Sequence, residues 1–404
     1  MKLNLLLITA FCLQIISNLS AQTPCSYNVV TRQFEGDCPP SVIVTAVPFL
    51  RITPDGRGAG MGDAGIAISA DANTMYYNSS KMAFATQKTQ LSATYTPWLR
   101  SLGLNDIYLA YLSGFTKFDS TQGIGFGLRY FSLGQIAFTN ENGEPAGEGK
   151  PNEFEALIGY SRRLSNNLAI GLSGKFIYSD LASGKVVDGI EIAKGIAGAA
   201  DLSMTYRKPF KKGGDLMVGV AMTNIGSKIT YTRNQSRDFI PSNLGIGAAY
   251  SKDMDAFNKI TFALDINKLL TPTPTPAYTD ENGNSINDWR EKSMFSGLLG
   301  SFSDAEGGFK EEVSELMYNI GVEYVYNGQF AVRAGYVSED KFKGNRKYLT
   351  VGLGLKYNVF GINLAYLVGT SNQRNPLDNT LRFSLLLDFN QGKTANEEII
   401  EGDF

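Results

Sequence analysis

The chain has 404 residues with 37 basic and 39 acidic side chains, a formal net charge of −2 that leaves no basic surplus for nucleic acid. Charged residues make up only 19%, whereas Gly (43), Phe (24) and Tyr (20) are abundant. Histidine is absent, which excludes Ser-His-Asp and Cys-His catalysis, histidine-ligated metals and haem, and histidine-based pH switching.

Residues 1–21 read as a secretory signal. Lys2 supplies the positive end, residues 5–16 are apolar apart from Thr9 and Gln14, and Leu19-Ser20-Ala21 gives a small-residue cleavage site ahead of Gln22. The apolar run is shorter than the ~20 residues of a spanning helix. Cleavage removes Cys12 and leaves Cys25 and Cys38, which suggests one disulfide closing a short loop, with two free thiols as the alternative. Residues 22–87 read as an N-terminal periplasmic or plug segment. Within it Gly60-Met61-Gly62-Asp63-Ala64-Gly65 matches a dinucleotide fingerprint letter for letter. The mechanism needs a preceding buried strand, which Arg51 to Arg57 with Pro54 does not supply, so a tightly folded plug or inner-rim turn is the better reading.

No later segment holds 18 consecutive apolar residues, so a membrane-spanning form of this chain must be a closed β-barrel. From about Lys88 the chain alternates with period two. Ile124, Phe126, Leu128 and Tyr130 share one face; Gly125, Gly127 and Arg129 share the other. The same reading gives fourteen strands: 88–96, 106–115, 123–132, 152–162, 168–179, 199–207, 215–225, 242–250, 259–268, 315–326, 329–337, 347–357, 360–368 and 379–389. Fourteen is even and most strands are near the ~9–11 residues that cross a bilayer at a tilt. Joins after even strands are short, as at Asn327-Gly328 and Asn358-Val359, and joins after odd strands are long, up to 269–314. Residues 88–389 therefore read as an antiparallel transmembrane barrel with long extracellular loops, and 390–404 as a periplasmic tail.

Charge placement separates this reading from a soluble sandwich. The Leu, Ile, Val, Phe and Tyr face reads as uncharged, while the other face carries Arg129, Lys175, Arg207, Arg333, Lys356 and Arg382 against Glu153, Glu155, Asp201, Asp265, Glu323 and Asp388. Tyrosines recur near strand ends, where aromatic girdles sit. Equal numbers of lumen acids and bases predict internal ion pairs and a closed or plugged barrel. Glu153 and Glu155 share the lumen face, but no nucleophile with a base accompanies them, so no catalytic residue is assigned. No cofactor is expected.

In the longest loop, Asp280, Asn282, Asn284, Ile286, Asp288 and Glu291 follow a calcium-loop spacing. Ser285 replaces the turn glycine and no flanking helices are evident, so a solvated loop is favoured. The Pro-rich spacer from Thr271 to Pro276 leads to Trp289, Met294, Phe295, Leu298, Leu299 and Phe302, an apolar cluster that suggests a partner-binding surface or a lid.

The run Pro48-Phe49-Leu50-Arg51-Ile52-Thr53-Pro54-Asp55-Gly56-Arg57-Gly58-Ala59-Gly60-Met61-Gly62-Asp63-Ala64-Gly65 closely resembles the N-terminal signature of the PorV family, outer-membrane components of the type IX secretion system. The following Asp71 to Ala83 stretch is similar to the Asn-Pro-Ala segment of the wider FadL-like family, with Ser79 where proline is usual. The resemblance implies an all-β, FadL-like fold of fourteen antiparallel strands with an N-terminal plug, and a non-enzymatic role in the bacterial outer membrane. It further implies a shuttle that takes secreted cargo, by its C-terminal signal domain, from the translocon barrel SprA (Sov) to the attachment complex containing the sortase PorU. A FadL-like transporter of hydrophobic molecules and a lipid A-modifying enzyme are the alternatives. The missing histidine counts against the enzyme, and the polar lumen counts against the transporter.

Overall fold

The computed structural model describes residues 26–28, 33–35 and 42–389, except 101–102, 140–141, 183, 188–189, 233–236, 275–277, 280–284, 287–288, 306–307 and 371–378. The signal segment, Cys25, Cys38, the calcium-spacing residues Asp280, Asn282, Asn284 and Asp288, and the 390–404 tail lie outside the described residues. Met1–Ser41 forms a unit of its own, in which Ser26–Asn28 pairs with Gln33–Glu35.

Within the second unit the alternating segments form a closed antiparallel barrel of fourteen strands. They are β1 Thr89–Pro97, β2 Ile107–Lys117, β3 Gln122–Leu133, β4 Asn152–Arg163, β5 Leu168–Asp180, β6 Gly195–Pro209 and β7 Asp215–Gly226. The others are β8 Asn243–Asp253, β9 Asn258–Leu269, β10 Met317–Tyr326, β11 Phe330–Ser338, β12 Lys347–Tyr357, β13 Phe360–Gly369 and β14 Leu381–Asp388. Each pairs with its sequence neighbour, and β14 closes onto β1 over the short register from Phe383↔Tyr95 to Asp388↔Gln90.

The expected segments agree with these strands to within a few residues except in β6, which begins at Gly195. Its first residues, Gly-Ile-Ala-Gly-Ala-Ala, carry too little contrast between faces for alternation to show. A bulge between Ala200 and Leu202 then shifts the register against β7.

Joins at 118–121, 164–167, 210–214, 254–257, 327–329 and 358–359 are tight. Asp119 and Asp255 accept hydrogen bonds from backbone N–H groups two and three residues on, closing their turns. Asn327 and Gly328 both adopt positive φ (53° and 61°), and Gln329 N–H donates to Tyr326 O at 3.0 Å to close the three-residue join. Because the strand number is even, β1 starts and β14 ends on this short-turn side, which is periplasmic in outer-membrane barrels. The long joins form the opposite, outer mouth.

The outward face is apolar: Phe262, Ile320, Val351 and Leu355 are exposed. Arg162, Lys208 and Lys252 are exposed charges on that face. All three lie at the inner ends of their strands, where long basic side chains reach the headgroups. Among the described residues, several of the lumen-facing charges form buried ion pairs, whereas Glu153 and Asp265 are buried without one and Arg207 and Lys356 are partly exposed. Arg129 Nε bonds Glu155 at 2.8 Å, Lys175 bridges Glu155 (3.3 Å) and Asp201 (2.9 Å), and Arg333 bonds Glu323 at 2.7 Å.

Residues from Val42 to the start of β1 fill the lumen. The path starts at the outer mouth, where Ala46 N–H donates to Phe239 O in the β7–β8 loop (2.9 Å). It descends through a 3₁₀ turn (Pro48–Arg51), α1 (Gly56–Gly60), α2 (Thr74–Tyr77) and a second 3₁₀ segment (Ser79–Phe84) to β1 at the periplasmic rim.

Candidate functional site: the plugged lumen and the outer loop

The plug is pinned by charge and by glycine. Asp55 caps α1 by accepting from the N–H groups of Arg57 (3.0 Å) and Gly58 (2.9 Å), and Tyr77 Oη donates to its other oxygen at 2.6 Å. Arg57 reaches Glu323 (2.9 Å) and Asp71 (3.1 Å), Asp63 bonds Arg382 (3.1 Å), and Asp265 accepts from Gly65 and Ile66 N–H at 2.7 and 2.8 Å. Arg129 donates to the carbonyls of Phe49 and Ile52, both at 3.1 Å. Buried charges persist because each finds a partner of opposite sign or a backbone dipole.

The Gly60 to Gly65 motif lies here, against barrel wall and away from any crossover helix. Gly62 adopts φ +66°, and a Cβ on it would sit 2.6 Å from Ile320 O. On the wall, a Cβ on Gly335 would lie 2.0 Å from Gly62 N. Glycine thus faces glycine so that plug backbone and strand backbone touch. Asn78 and Ser80 belong to the same packing: Asn78 Nδ2 donates to Ile66 O and to Thr205 Oγ1, both at 2.9 Å. Ser79, in the place usual for proline, meets Ser203 Oγ at 3.1 Å. Glu153 accepts a hydrogen bond from Ser179 (2.9 Å), and Glu155 is ion-paired with Arg129.

At the outer mouth, the loop 270–316 is fastened at its base by charge. Lys268 bonds Glu312 (2.8 Å) and Glu315 (2.6 Å), Lys343 from the β11–β12 loop bonds Glu311 (2.5 Å) and Glu315 (3.0 Å), and Thr273 Oγ1 donates to Glu315 (2.9 Å). The loop carries two short helices, α3 (Met294–Gly300), capped by Ser293, and α4 (Phe309–Ser314). Of the six apolar residues expected at a partner surface, Trp289 and Leu298 are buried. Trp289 stacks on Phe239 with centroids 6.1 Å apart, so it anchors the loop to the β7–β8 connection and is withdrawn from the surface. Met294 is half-buried. Phe295 (67% exposed), Leu299 (69%) and Phe302 (49%) stand outward at positions i, i+4 and i+7. Glu291 is exposed, and among the described residues no cluster of acidic or cysteine ligands could hold a metal ion.

Phe309 (84% exposed) and Val313 extend the apolar surface. Sequence reasoning missed both, although their i, i+4 spacing beside the inward Glu311, Glu312 and Glu315 was the available signal. The pattern is inverted relative to an ordinary amphipathic helix, because here the charged face is the buried one.

A family profile described as "Type IX secretion system protein PorV" matches residues 37–276. The chain belongs to the PorV family. No curated protein matches it. Among solved structures, this PorV-family barrel is similar to the P. putida toluene transporter TodX (13% identity, 84% of this chain and 99% of that chain, TM-score 0.50). It is also similar to the Ralstonia pickettii toluene transporter TbuX (12% identity, 83% and 98%, TM-score 0.52). At these identities the likeness concerns the fold alone, a closed antiparallel β-barrel.

Proposed function

We propose that this chain is the shuttle of a type IX secretion system. It takes exported cargo by its C-terminal signal domain at the translocon barrel SprA (Sov) and delivers it to the PorU-containing attachment complex. In this reading residues 1–21 are removed on export, and the mature chain consists of the 22–87 segment, the 88–389 barrel and the 390–404 tail. Catalysis has no part in it.

The observation that carries the reading is the apolar face of the outer loop, Phe295, Leu299 and Phe302 with Phe309 and Val313, held out from the barrel by a buried ionic base. Exposed aromatic and aliphatic side chains on a fastened scaffold suit docking, because little further ordering is needed on contact. Family membership supports the secretion context, and a lumen filled by its own plug suits docking better than conduction.

Replacing Phe295, Leu299 and Phe302 together by Ser tests this. Barrel assembly, read by heat-dependent gel mobility, stays normal, while surface attachment of cargo and co-purification of translocon fall several-fold. Undiminished attachment and co-purification would sink the docking role of this face. A lipid retained by the purified barrel in native mass spectrometry, with no co-purified translocon, would favour a hydrophobic-molecule transporter instead.

A further inference from the structure

Along the inner rim, three successive even strands end in one repeated pattern. β4 carries Tyr160-Ser161-Arg162, β6 carries Tyr206-Arg207-Lys208, and β8 carries Tyr250-Ser251-Lys252. In each strand the last residue of the triplet is the penultimate one, and the tyrosine precedes it on the same outward face. The three tyrosines and the three basic residues below them are all exposed on the lipid side. The rest of the rim is built differently. β2 has Thr116 at the equivalent position. The outward side chains that finish β10 and β12 are Tyr326 and Tyr357, and Phe389 follows β14, so that arc has the aromatic girdle without the charge.

Among the described residues, Arg162, Lys208 and Lys252 form no ion pair, and the acids at these strand ends are engaged elsewhere. Asp215 pairs with Arg207 and Asp253 with Lys259 (3.6 Å), while Asp119 and Asp255 close their own turns. Above the cations the wall is apolar, with Ile170 and Leu172 on β5, Met204 on β6, Leu216 on β7 and Phe262 on β9. Lys208 pairs across to Leu216, and Leu216 to Tyr250, so Lys208 and Tyr250 lie in one row about 10 Å apart. Phe210 of the β6–β7 turn packs on Tyr250 with centroids 5.7 Å apart, and the exposed Lys211 and Lys212 follow it.

We propose that this arc is a binding site for anionic phospholipid of the inner leaflet. The phosphate diester accepts charge-assisted hydrogen bonds from Arg162, Lys208 and Lys252, and the acyl chains lie on the apolar wall above. The tyrosine rings mark headgroup depth. The outward direction of the cations decides for lipid over a soluble acidic protein, because each stands directly below a hydrocarbon-facing residue. A phosphate there also supplies the counter-charge that the protein itself withholds at the edge of its apolar band. The arc lies at the opposite end of the barrel from the outer loop, so the proposal does not depend on the docking role given to that loop.

Fluorescence quenching in bilayers tests the site. Leu216→Trp places a reporter in the row, and Leu355→Trp places one near the inner end of β12, in the uncharged arc. The native Trp98 and Trp289 lie toward the outer mouth and contribute equally to both. Each full mature chain is reconstituted in phosphatidylcholine vesicles containing dibrominated phosphatidylglycerol or dibrominated phosphatidylcholine as quencher. At Leu216→Trp, phosphatidylglycerol quenches with about fivefold or higher relative affinity, the effect of one basic side chain on an anionic headgroup. At Leu355→Trp the two lipids quench equally. Adding Arg162→Gln, Lys208→Gln and Lys252→Gln to the first reporter abolishes its preference. Equal quenching at Leu216→Trp, the same preference at both reporters, or a preference that survives the triple substitution overturns the proposal. The two-reporter comparison keeps all three cations in place, so it stands even if the triple variant fails to assemble.

Discussion

Glu323 lies between two arginines brought from distant parts of the chain, Arg57 of the plug at 2.9 Å and Arg333 of the adjacent strand at 2.7 Å. Glu323→Gln keeps the volume and leaves two buried guanidiniums facing a neutral amide, a loss of about 3–5 kcal/mol on the scale of broken buried pairs. The expected readout is a lower urea midpoint for the heat-modifiable barrel; an unchanged midpoint would mean that the pair is not holding the plug. Half of this arrangement was legible in the sequence. Period-two alternation places Glu323 and Arg333 in the lumen, because a lipid-facing charge at mid-strand is too costly. Arg57 was not legible as their partner, since its position depends on a backbone path through the lumen with no periodicity to follow. The same holds for Gly62 and Gly335, whose close approach joins two glycines far apart in sequence.

The strands declared themselves because lipid on one side and a polar plug on the other force opposite chemistries onto successive residues. Where that contrast fades, as in the small-residue start of β6, the boundary faded with it. The outer loop was partly readable: its apolar cluster was visible, but Trp289 and Leu298 turned inward because the β7–β8 connection offers Phe239 as a stacking surface. The ionic base was hidden because Lys343 meets Glu311 and Glu315 across separate connections.

That base has a pH consequence. Burial works to raise Glu315 and Glu339, but Lys268 and Lys343 around Glu315, and Arg346 with Arg51 around Glu339, outweigh it and hold both low. Carboxyls depressed in the folded state stabilise it above the unfolded value of roughly 4.3, and that support is lost as pH falls through their folded values. Loop 270–316 is therefore expected to resist protease at neutral pH and to become cleavable by an acid-active protease such as pepsin below about pH 4. A Lys343→Met variant should lose protection at higher pH than the parent. Equal profiles for the two proteins would remove the base from the account.

At the scale of the whole molecule, the fourteen-strand wall encloses its own plug, and most lumen charges are neutralised against each other or against the plug. In a planar bilayer the intact protein is expected to give current steps far below those of an unplugged barrel of similar strand number. Large, long-lived steps without sign preference would contradict a sealed lumen.

Closure of the wall carries a further consequence, one of timing. The plug enters the sequence first, yet the strands that grip it include the last: Ser384 Oγ accepts from Gly56 N–H at 2.8 Å, and Arg382 reaches Asp63 at 3.1 Å, both from β14. The wall at the β14–β1 seam is short and cannot be completed until the final strand is made. The filling is therefore gripped in full only when the last stave is in place, and that stave both shuts the cask and completes the hold on its contents. A seam sealed early would trap Arg382 facing an empty interior, so seating and sealing are one event.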